Sequence, residues 1–228
     1  MIVEPIIQGA GGMRIYARDF LFRLRQWTSK HHIHLIADEI MTGIGRCGKM
    51  LACQYAAIEP DLLCLSKGLT AGVMPLSALL MRESIYELFY DDYASGKSFL
   101  HSHTFSGHAL AASVALEVLN IIKEEHLCEC ANVIGQMMYR YMQDIAQQTE
   151  QLVNVRQLGA IVAADLVCEE PNRRLGFEIF QKAIQLGAYL RPLGNTIYWL
   201  PPLNIAEETL CRLKQVTEQA IKQVCLTR

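Results

Sequence analysis

Short apolar runs dominate the first third of the chain. Four of them predict β-strands: 2–7 (IVEPII), 34–40 (HLIADEI), 62–66 (LLCLS) and 76–81 (LSALLM). Each run is apolar on both faces, which is typical of strands in a parallel sheet covered by helices. The chain begins inside the first of these strands, and only four sheet strands are visible. The pattern therefore predicts a domain whose front half is absent from these 228 residues.

Helical periodicity separates the first two runs. Four apolar residues share one face of residues 19–30: Phe20, Leu21, Leu24 and Trp27. Strand, helix and strand at this spacing predict a βαβ unit.

The pattern changes after Gly107. Helices are predicted over 108–125, 131–147, 173–186 and 206–224. Leu110 is one of the apolar residues at helical spacing in the first of these, and Phe177, Phe180 and Ile184 are predicted to face inward in the third. Strands are predicted as a pair within 152–167 around Gly159, and as short runs at 189–192 and 197–200. The predicted fold is α/β, with a mostly parallel sheet and helices in residues 1–125 and a smaller α+β domain in residues 126–228.

Composition narrows the class of protein. The chain is 51% hydrophobic and 19% charged, with a net charge of −2 and no basic block, so nothing indicates a nucleic-acid surface. No apolar stretch reaches the length of a membrane span. Eight cysteines are scattered along the chain, and their distribution predicts reduced thiols in a cytoplasmic protein. A zinc site at Cys128 and Cys130 is disfavoured because no second close pair matches it.

Residues 43–49 spell G-x-x-x-x-G-K, the skeleton of a triphosphate-binding loop. Met50 stands where that loop needs a Ser or Thr to hold magnesium, so the glycines are predicted to form a mobile turn instead. The acidic pair Asp38 and Glu39 lies just upstream of this turn, at the end of the second predicted strand, and is the stronger candidate for a functional role.

Lys67 directly follows the third predicted strand, and Asp38 lies in the corresponding place near the end of the second. Both would lie at the carboxyl ends of parallel strands, where open α/β sheets bind ligands. A carboxylate or a lysine at the mouth of a buried strand loses hydration unless it is paired, neutral or used covalently. The alternative is a plain salt bridge between strand ends.

Five stretches resemble the class III aminotransferases, which are pyridoxal-phosphate (PLP) enzymes of fold type I. They are EPIIQGAGGM, LIADEIMTGIGRCGKM, PDLLCLSKGLTAGVMPLSALL, HTFSGHALAASVALEVL and LRPLGNTIYWLPPL. The resemblance runs along nearly the whole chain but corresponds to only the C-terminal half of the family. It implies a transaminase that works as a homodimer.

The resemblance also implies roles for individual residues. Lys67 would bind PLP covalently and move the substrate proton, and Asp38 would pair with the pyridine nitrogen. Thr104 would reach the phosphate of the cofactor in the partner subunit.

Further positions are implied to contact substrate. Arg191 would bind the carboxylate of the oxo-acid substrate, and Tyr198, Arg46 and Ser102 would lie near substrate. The Arg-Pro-Leu-Gly and Pro-Pro motifs are similar to those of members that use S-adenosylmethionine and 8-amino-7-oxononanoate in biotin biosynthesis. Another class III enzyme acting on an ω-amine or an ornithine-like donor, and a non-catalytic fragment, are the alternatives.

Two departures from the family pattern stand near Thr104. Ser102 and His103 replace the usual Gly-Pro, and His108 replaces a common Asn. With His101 these give three histidines in eight residues, but a metal site is disfavoured here, as it is for the histidines of HHIH at 31–34. The first half of the family supplies the phosphate-binding Gly-Ser turn and the aromatic residue stacked on the ring. We therefore expect the 228 residues alone to lack a complete PLP site.

Overall fold

The computed structural model describes residues 1–170 and 172–225. The chain divides into two compact units. The first comprises Met1–Ile6, Ala17–Ile44 and Leu51–Glu125, and the second comprises Ile7–Tyr16, Gly45–Met50 and the chain from His126 onward. The assignment of residues 1–125 to a PLP-binding domain and of 126–228 to a smaller domain stays a prediction.

Nine strands and six α-helices are found in the described residues. The strands are β1 (Ile2–Val3), β2 (Ile7–Gln8), β3 (Arg14–Ile15), β4 (Ile36–Asp38), β5 (Leu62–Leu65), β6 (Ala78–Met81), β7 (Leu152–Leu158), β8 (Ile161–Leu166) and β9 (Thr196–Trp199). The helices are α1 (Arg18–Lys30), α2 (Glu83–Tyr86), α3 (Ala109–Glu124), α4 (Leu127–Thr149), α5 (Leu175–Gln185) and α6 (Glu207–Cys225). Every helix in this part of the chain is too short or too polar to traverse a bilayer.

The first unit contains a four-stranded sheet in the order β1-β4-β5-β6. Strands β1, β4 and β5 are parallel, and α1 lies between β1 and β4 in the chain, which confirms the predicted βαβ unit. Strand β6 pairs antiparallel with β5, so the sheet is mostly parallel, as predicted, with one antiparallel strand at its edge. Because only 12 residues and no crossover helix separate the two strands, the chain folds back beside β5.

Two strand predictions need correction. The run 2–7 is not one strand, because Pro5 lacks a donor for the ladder; Ile7–Gln8 instead pairs with Arg14–Ile15 in the second unit. Residues 189–192 form no strand, and only an isolated bridge joins Leu193 to Thr196.

The second unit has an antiparallel sheet, β7-β8-β9, with α4 packed on β7 and β8 and both α4 and α5 packed on α6. The β7–β8 pair confirms the predicted hairpin. A Cβ on Gly135 of α4 would lie 1.9 Å from the carbonyl oxygen of Gly159, so only glycine permits this approach of helix and turn. The core centres on Trp199, whose Nε1 donates to the buried Thr217 Oγ1 at 3.2 Å.

Several large side chains on the predicted apolar faces of the helices are exposed. They are Phe20 (52%), Trp27 (46%), Leu110 (67%), Phe177 (38%) and Ile184 (48%). Smaller neighbours are buried instead, such as Thr28 on α1, Ala111 and Ala115 on α3, and Ala183 on α5. Periodicity locates an apolar stripe on a helix, but it does not show which edge of the stripe meets the core.

Asp61, just before β5, is the centre of a buried charge cluster in the first unit. Its Oδ2 accepts hydrogen bonds from Leu35 N at 2.8 Å and from Arg25 Nη1 at 2.7 Å, and Arg82 Nε lies 3.3 Å from its Oδ1. Burial alone would raise the pKa of Asp61, but the hydrogen bonds from Leu35 and Arg25 and the two positive charges outweigh it and lower that pKa.

We expect Asp61→Asn to lower the free energy of unfolding by about 2–4 kcal/mol at pH 7, because it leaves the half-buried guanidinium of Arg25 without its carboxylate and removes an acceptor charge from a buried position. The stabilisation from a carboxylate with a lowered pKa is present above the unfolded-state pKa and is lost as pH falls through the folded-state value. Urea unfolding from pH 7 to pH 3 should therefore show a shallower acid-dependent loss in the variant. An unchanged pH dependence would contradict this account of Asp61.

Candidate active site

The carboxyl ends of β4 and β5 bring two of the predicted site residues to one edge of the sheet. Asp38 is the last residue of β4, and its Cα partner in β5 is Cys64. Lys67 comes two residues after the end of β5. Because the strands are parallel neighbours, the two residues lie at the same edge of the sheet, as the sequence predicts.

Glu39, the second acid of the pair, has a structural role. Its carboxylate is fully buried and accepts three hydrogen bonds: from Thr42 Oγ1 at 2.8 Å, Ala52 N at 2.8 Å and Cys53 N at 2.7 Å. These contacts satisfy a charge that burial would otherwise penalise. Burial, followed by the charge and hydrogen bond of Glu39, raises the pKa of the Cys53 thiol.

Asp38 is half-buried and much less constrained. Its Oδ1 accepts a hydrogen bond from Ile40 N at 3.1 Å, two residues on. Burial, and then the charge of Asp38, raises the pKa of the Cys64 thiol, which places the carboxylate beside β5. Of the two acids, Asp38 is the one with capacity to bind a further partner.

Lys67 opens a tight turn of 3₁₀-helix, Lys67–Thr70. Its φ is +43°, in the left-handed region that non-glycine residues seldom adopt, which is a form of local strain found at functional sites. Two hydrogen bonds brace the turn: Ser66 Oγ donates to the Leu76 carbonyl at 2.7 Å, and Thr70 Oγ1 donates to the Met74 carbonyl.

Lys67 is exposed, which corrects one sequence-based expectation. A lysine at the mouth of a buried strand was predicted to lose its hydration, but the Lys67 side chain is open to solvent in this structure. The Lys67 amine therefore keeps its hydration, without the cost of burial.

Ser102 and Thr104 lie in the segment before α3, and both are exposed. The segment and the loop after β5 line one cavity of about 690 Å³, with Ser66 and Leu76 on one side and His103 and His108 on the other. The segment with Thr104 thus borders the same space as the residue before Lys67.

The histidines of this segment make backbone contacts. His108 Nδ1 accepts from Ala111 N at 3.2 Å and so caps the start of α3, and His103 Nδ1 accepts from Phe105 N at 3.2 Å. Asparagine makes the same type of N-cap contact, so a histidine at this position can serve in its place.

The glycine-rich turn is tightly packed rather than mobile, contrary to the sequence prediction. Gly43, Gly45 and Gly48 are buried, and a Cβ on Gly48 would lie 2.0 Å from Asn132 Oδ1. Asn132 also donates to the Gly48 carbonyl at 2.9 Å. A short 3₁₀ turn, Ala52–Tyr55, follows in place of the α-helix that a phosphate loop requires.

The other predicted substrate residues belong to the second unit. Arg46 Nη1 donates to the carbonyls of Pro201 at 2.6 Å and Ala160 at 3.3 Å, and burial lowers the pKa of Arg46 to about 10. Tyr198 is half-buried in β9, and Arg191 is exposed in the turn before that strand. The substrate roles of these residues stay predictions.

Sequence reasoning missed the roles of Glu39 and His108. The structural role of Glu39 could have been predicted from its position directly after a strand and before a glycine-rich turn. A loop with few side chains exposes backbone N–H groups that can donate to a buried carboxylate. The signal for His108 was its place immediately before a helical pattern, where N-cap residues stand.

The fold agrees with the comparisons. The sequence profile of the family described as aminotransferase class-III matches residues 1–221, and the chain belongs to that family. Among curated relatives, it is similar to the adenosylmethionine-8-amino-7-oxononanoate aminotransferases of Helicobacter pylori and Geobacter sulfurreducens. The first is 40% identical over 91% of this chain and 48% of the relative, and the second is 38% identical over 98% and 51%.

Solved structures of aminotransferases have the same fold as this chain. The adenosylmethionine-8-amino-7-oxononanoate aminotransferase of Methanocaldococcus jannaschii superposes with a TM-score of 0.90 at 32% identity, over 97% of this chain and 53% of that one. An amine transaminase from an uncultivated Pseudomonas species, solved in its PLP-bound form, gives 0.90 at 34% identity, over 98% and 52%. These matches confirm the predicted fold type I architecture. The chain spans about half the length of the relatives it matches.

We expect His108→Asn to leave the stability of the chain nearly unchanged, and His108→Ala to lower the free energy of unfolding by about 1 kcal/mol, because only alanine removes the N-cap acceptor. Thermal unfolding of the two variants measures this. A drop of equal size in both would show that the ring of His108, and not its cap, stabilises α3.

Proposed function

We propose that this chain supplies the lysine and aspartate side of the active site of diaminopelargonate synthase, the adenosylmethionine–8-amino-7-oxononanoate aminotransferase of biotin biosynthesis. The reaction transfers an amino group from S-adenosylmethionine to 8-amino-7-oxononanoate and gives 7,8-diaminononanoate. The observation that carries the proposal is the placement of Asp38 and Lys67 at the ends of adjacent parallel strands.

The residues at this edge fit PLP. The cofactor needs an amine for its aldehyde and an anion for its ring nitrogen, and one of each is present with capacity to bind. Lys67 is exposed on a braced, strained turn, and Asp38 is half-buried with a single backbone hydrogen bond to its Oδ1. Glu39 is excluded from this task by its three contacts.

When bound, PLP supplies an electron-withdrawing ring that stabilises negative charge on the substrate carbon. The Asp38 carboxylate keeps the ring nitrogen protonated, because an adjacent anion favours the charged form of a base. Lys67 Nζ holds the cofactor and then removes and returns the proton on the substrate carbon that bears nitrogen. For that second task its amine must be neutral.

Other residues have roles in binding. Thr104 offers a hydroxyl and an N–H to the phosphate of PLP in a partner subunit of a homodimer. Arg191 binds the carboxylate of the oxo acid through its planar fork, which lysine lacks. Tyr198, Arg46 and Ser102 are proposed near substrate, with Arg46 acting as a support because both its carbonyl contacts lie within the second unit.

Another class III activity is the second candidate. Solved structures similar to this chain include the amine transaminase above and the ornithine aminotransferase of Toxoplasma gondii, which is 28% identical with a TM-score of 0.86. The names of the curated relatives favour S-adenosylmethionine as donor. The proposal of a cytoplasmic location rests on the distribution of the eight cysteines along the sequence.

The 228 residues do not enclose the proposed site. Lys67, Ser102 and Thr104 are all exposed, and β6 carries the exposed side chains of Leu79 and Leu80. We therefore propose that catalysis needs the remaining half of the family fold. A non-catalytic fragment is the corresponding alternative.

PLP attachment tests the assignment of Lys67. The chain is mixed with PLP, alone and together with the N-terminal half of the Helicobacter pylori relative, and is then reduced with borohydride and digested. We expect mass spectrometry to find the cofactor on the Lys67 peptide, more completely in the presence of the second half. Lys67→Ala should abolish this attachment, whereas Lys30→Ala, an exposed lysine at the end of α1, should not. Attachment at other lysines only, or none in either preparation, would contradict the proposed site.

The amino donor separates the two enzyme candidates. With both halves present, we expect 7,8-diaminononanoate to form from S-adenosylmethionine and not from ornithine. Mass spectrometry of the product measures this directly. Turnover with ornithine alone would favour the second candidate, and attachment of PLP without any turnover would favour the non-catalytic fragment.

A further inference from the structure

A second cavity, of about 430 Å³, lies within the second unit at the start of α5 and beside the turn before β9. Its volume is in the range of small-molecule sites. Arg191 lines it, together with Arg173 and Arg174 and the rings of Phe177, Phe180 and Tyr189. No acidic side chain lines the cavity in the part of the chain that the structure describes.

The walls of this cavity are held together by short backbone contacts. Asn195 Oδ1 accepts from Gly176 N at 3.1 Å, and Asn195 Nδ2 donates to the Arg173 carbonyl at 3.4 Å. A Cβ on Gly176 would lie 2.2 Å from the carbonyl oxygen of Gly194, so the helix start and the turn are in direct contact. These contacts fix the backbone of the helix start and of the turn that carry the lining residues.

The three arginines differ in their partners. Arg173 makes two hydrogen bonds to Glu178, Nε to Oε1 at 3.1 Å and Nη2 to Oε2 at 2.7 Å, and these raise the pKa of Arg173. For Arg174 and Arg191, no ion pair is formed with any residue in 1–170 or 172–225. Both guanidinium groups are exposed and keep their donors for an anion.

An aromatic series extends from Arg174 along the cavity. The guanidinium carbon of Arg174 lies 4.6 Å from the centroid of the Phe177 ring, which restricts the rotation of this side chain. Phe177 contacts Phe180 with centroids 5.8 Å apart, and Phe180 meets Tyr189 edge-on at 5.2 Å. Tyr189 is 74% exposed, so the series presents apolar surface to solvent beside unpaired positive charge.

Cationic and aromatic surfaces side by side suit a molecule that has a carboxylate at one end and a hydrocarbon chain behind it. We propose that Arg174 is a second carboxylate-binding residue beside Arg191, and that Phe177, Phe180 and Tyr189 contact the hydrocarbon chain of the ligand. Identification of that ligand with the oxo-acid substrate rests on the proposed function. The anion site itself rests only on this cavity.

Binding of nonanoate, a nine-carbon carboxylate without the reacting groups, tests the inference by calorimetric titration of the 228-residue chain. We expect Arg174→Gln to weaken nonanoate binding by about tenfold, the loss typical of one charge-assisted hydrogen bond. Arg174→Lys should weaken it less, because it keeps the charge and loses the fork. Arg140→Gln, an exposed arginine on α4, is the matched control and should bind as the wild type does.

The uncharged methyl ester of nonanoate should bind at least about tenfold more weakly than the acid if the guanidinium groups recognise charge. Equal binding of acid and ester, or wild-type affinity for nonanoate in Arg174→Gln, would overturn the inference. Circular dichroism of each variant establishes that it is folded. The proposed function fails separately if nonanoate binding depends on Arg174 while no amino transfer from S-adenosylmethionine occurs with both halves present.

Discussion

The buried carboxylate of Glu39 is the constraint on which the strand-end geometry depends. A buried negative charge is tolerated only when donors surround it, so the backbone at residues 52 and 53 and the hydroxyl of Thr42 must close around the end of β4. Successive side chains of a strand point to opposite faces. With Glu39 turned into this nest of donors, Asp38 faces the other way, toward Cys64 of β5. The contacts of Glu39 thus set the face of the sheet on which the Asp38 side chain lies.

The turn at Lys67 is a second consequence of packing at the same edge. Gly68 approaches Ile44 so closely that an added Cβ would lie 3.1 Å from the Ile44 Cβ, and the left-handed backbone of Lys67 is held in place by the hydrogen bonds of Ser66 and Thr70. Strain of this kind persists only where the surroundings fix it. The fixed backbone therefore sets the point from which the Lys67 side chain leaves this edge of the sheet.

The sequence predicts much of this because strand ends, periodicity and a family motif are local signals. Asp38 and Lys67 were found from apolar runs that end in charge, and both lie where that pattern predicts. The direction of β6, the irregular backbone at 189–192 and the outward Phe177 depend on contacts between distant segments, which periodicity does not contain. The rigid glycine turn was missed because its packing partner, Asn132, is 84 residues away from Gly48.

An active site must both orient its reacting groups and enclose them away from water. The residues of this chain hold the strand ends in place, but they leave the proposed site open to solvent. Electrostatic control of a reacting group strengthens as water is excluded, since charges interact more strongly at low dielectric. Asp38 is already half-buried, whereas Lys67, Ser102 and Thr104 remain in solvent. The cavity lined by Arg174 and Arg191 has the opposite character, because its lining residues all belong to one unit and these two of its three arginines form no ion pair with the described residues. The proposed carboxylate site therefore lies wholly within this chain, whereas the proposed chemistry at Lys67 depends on enclosure that these residues do not provide.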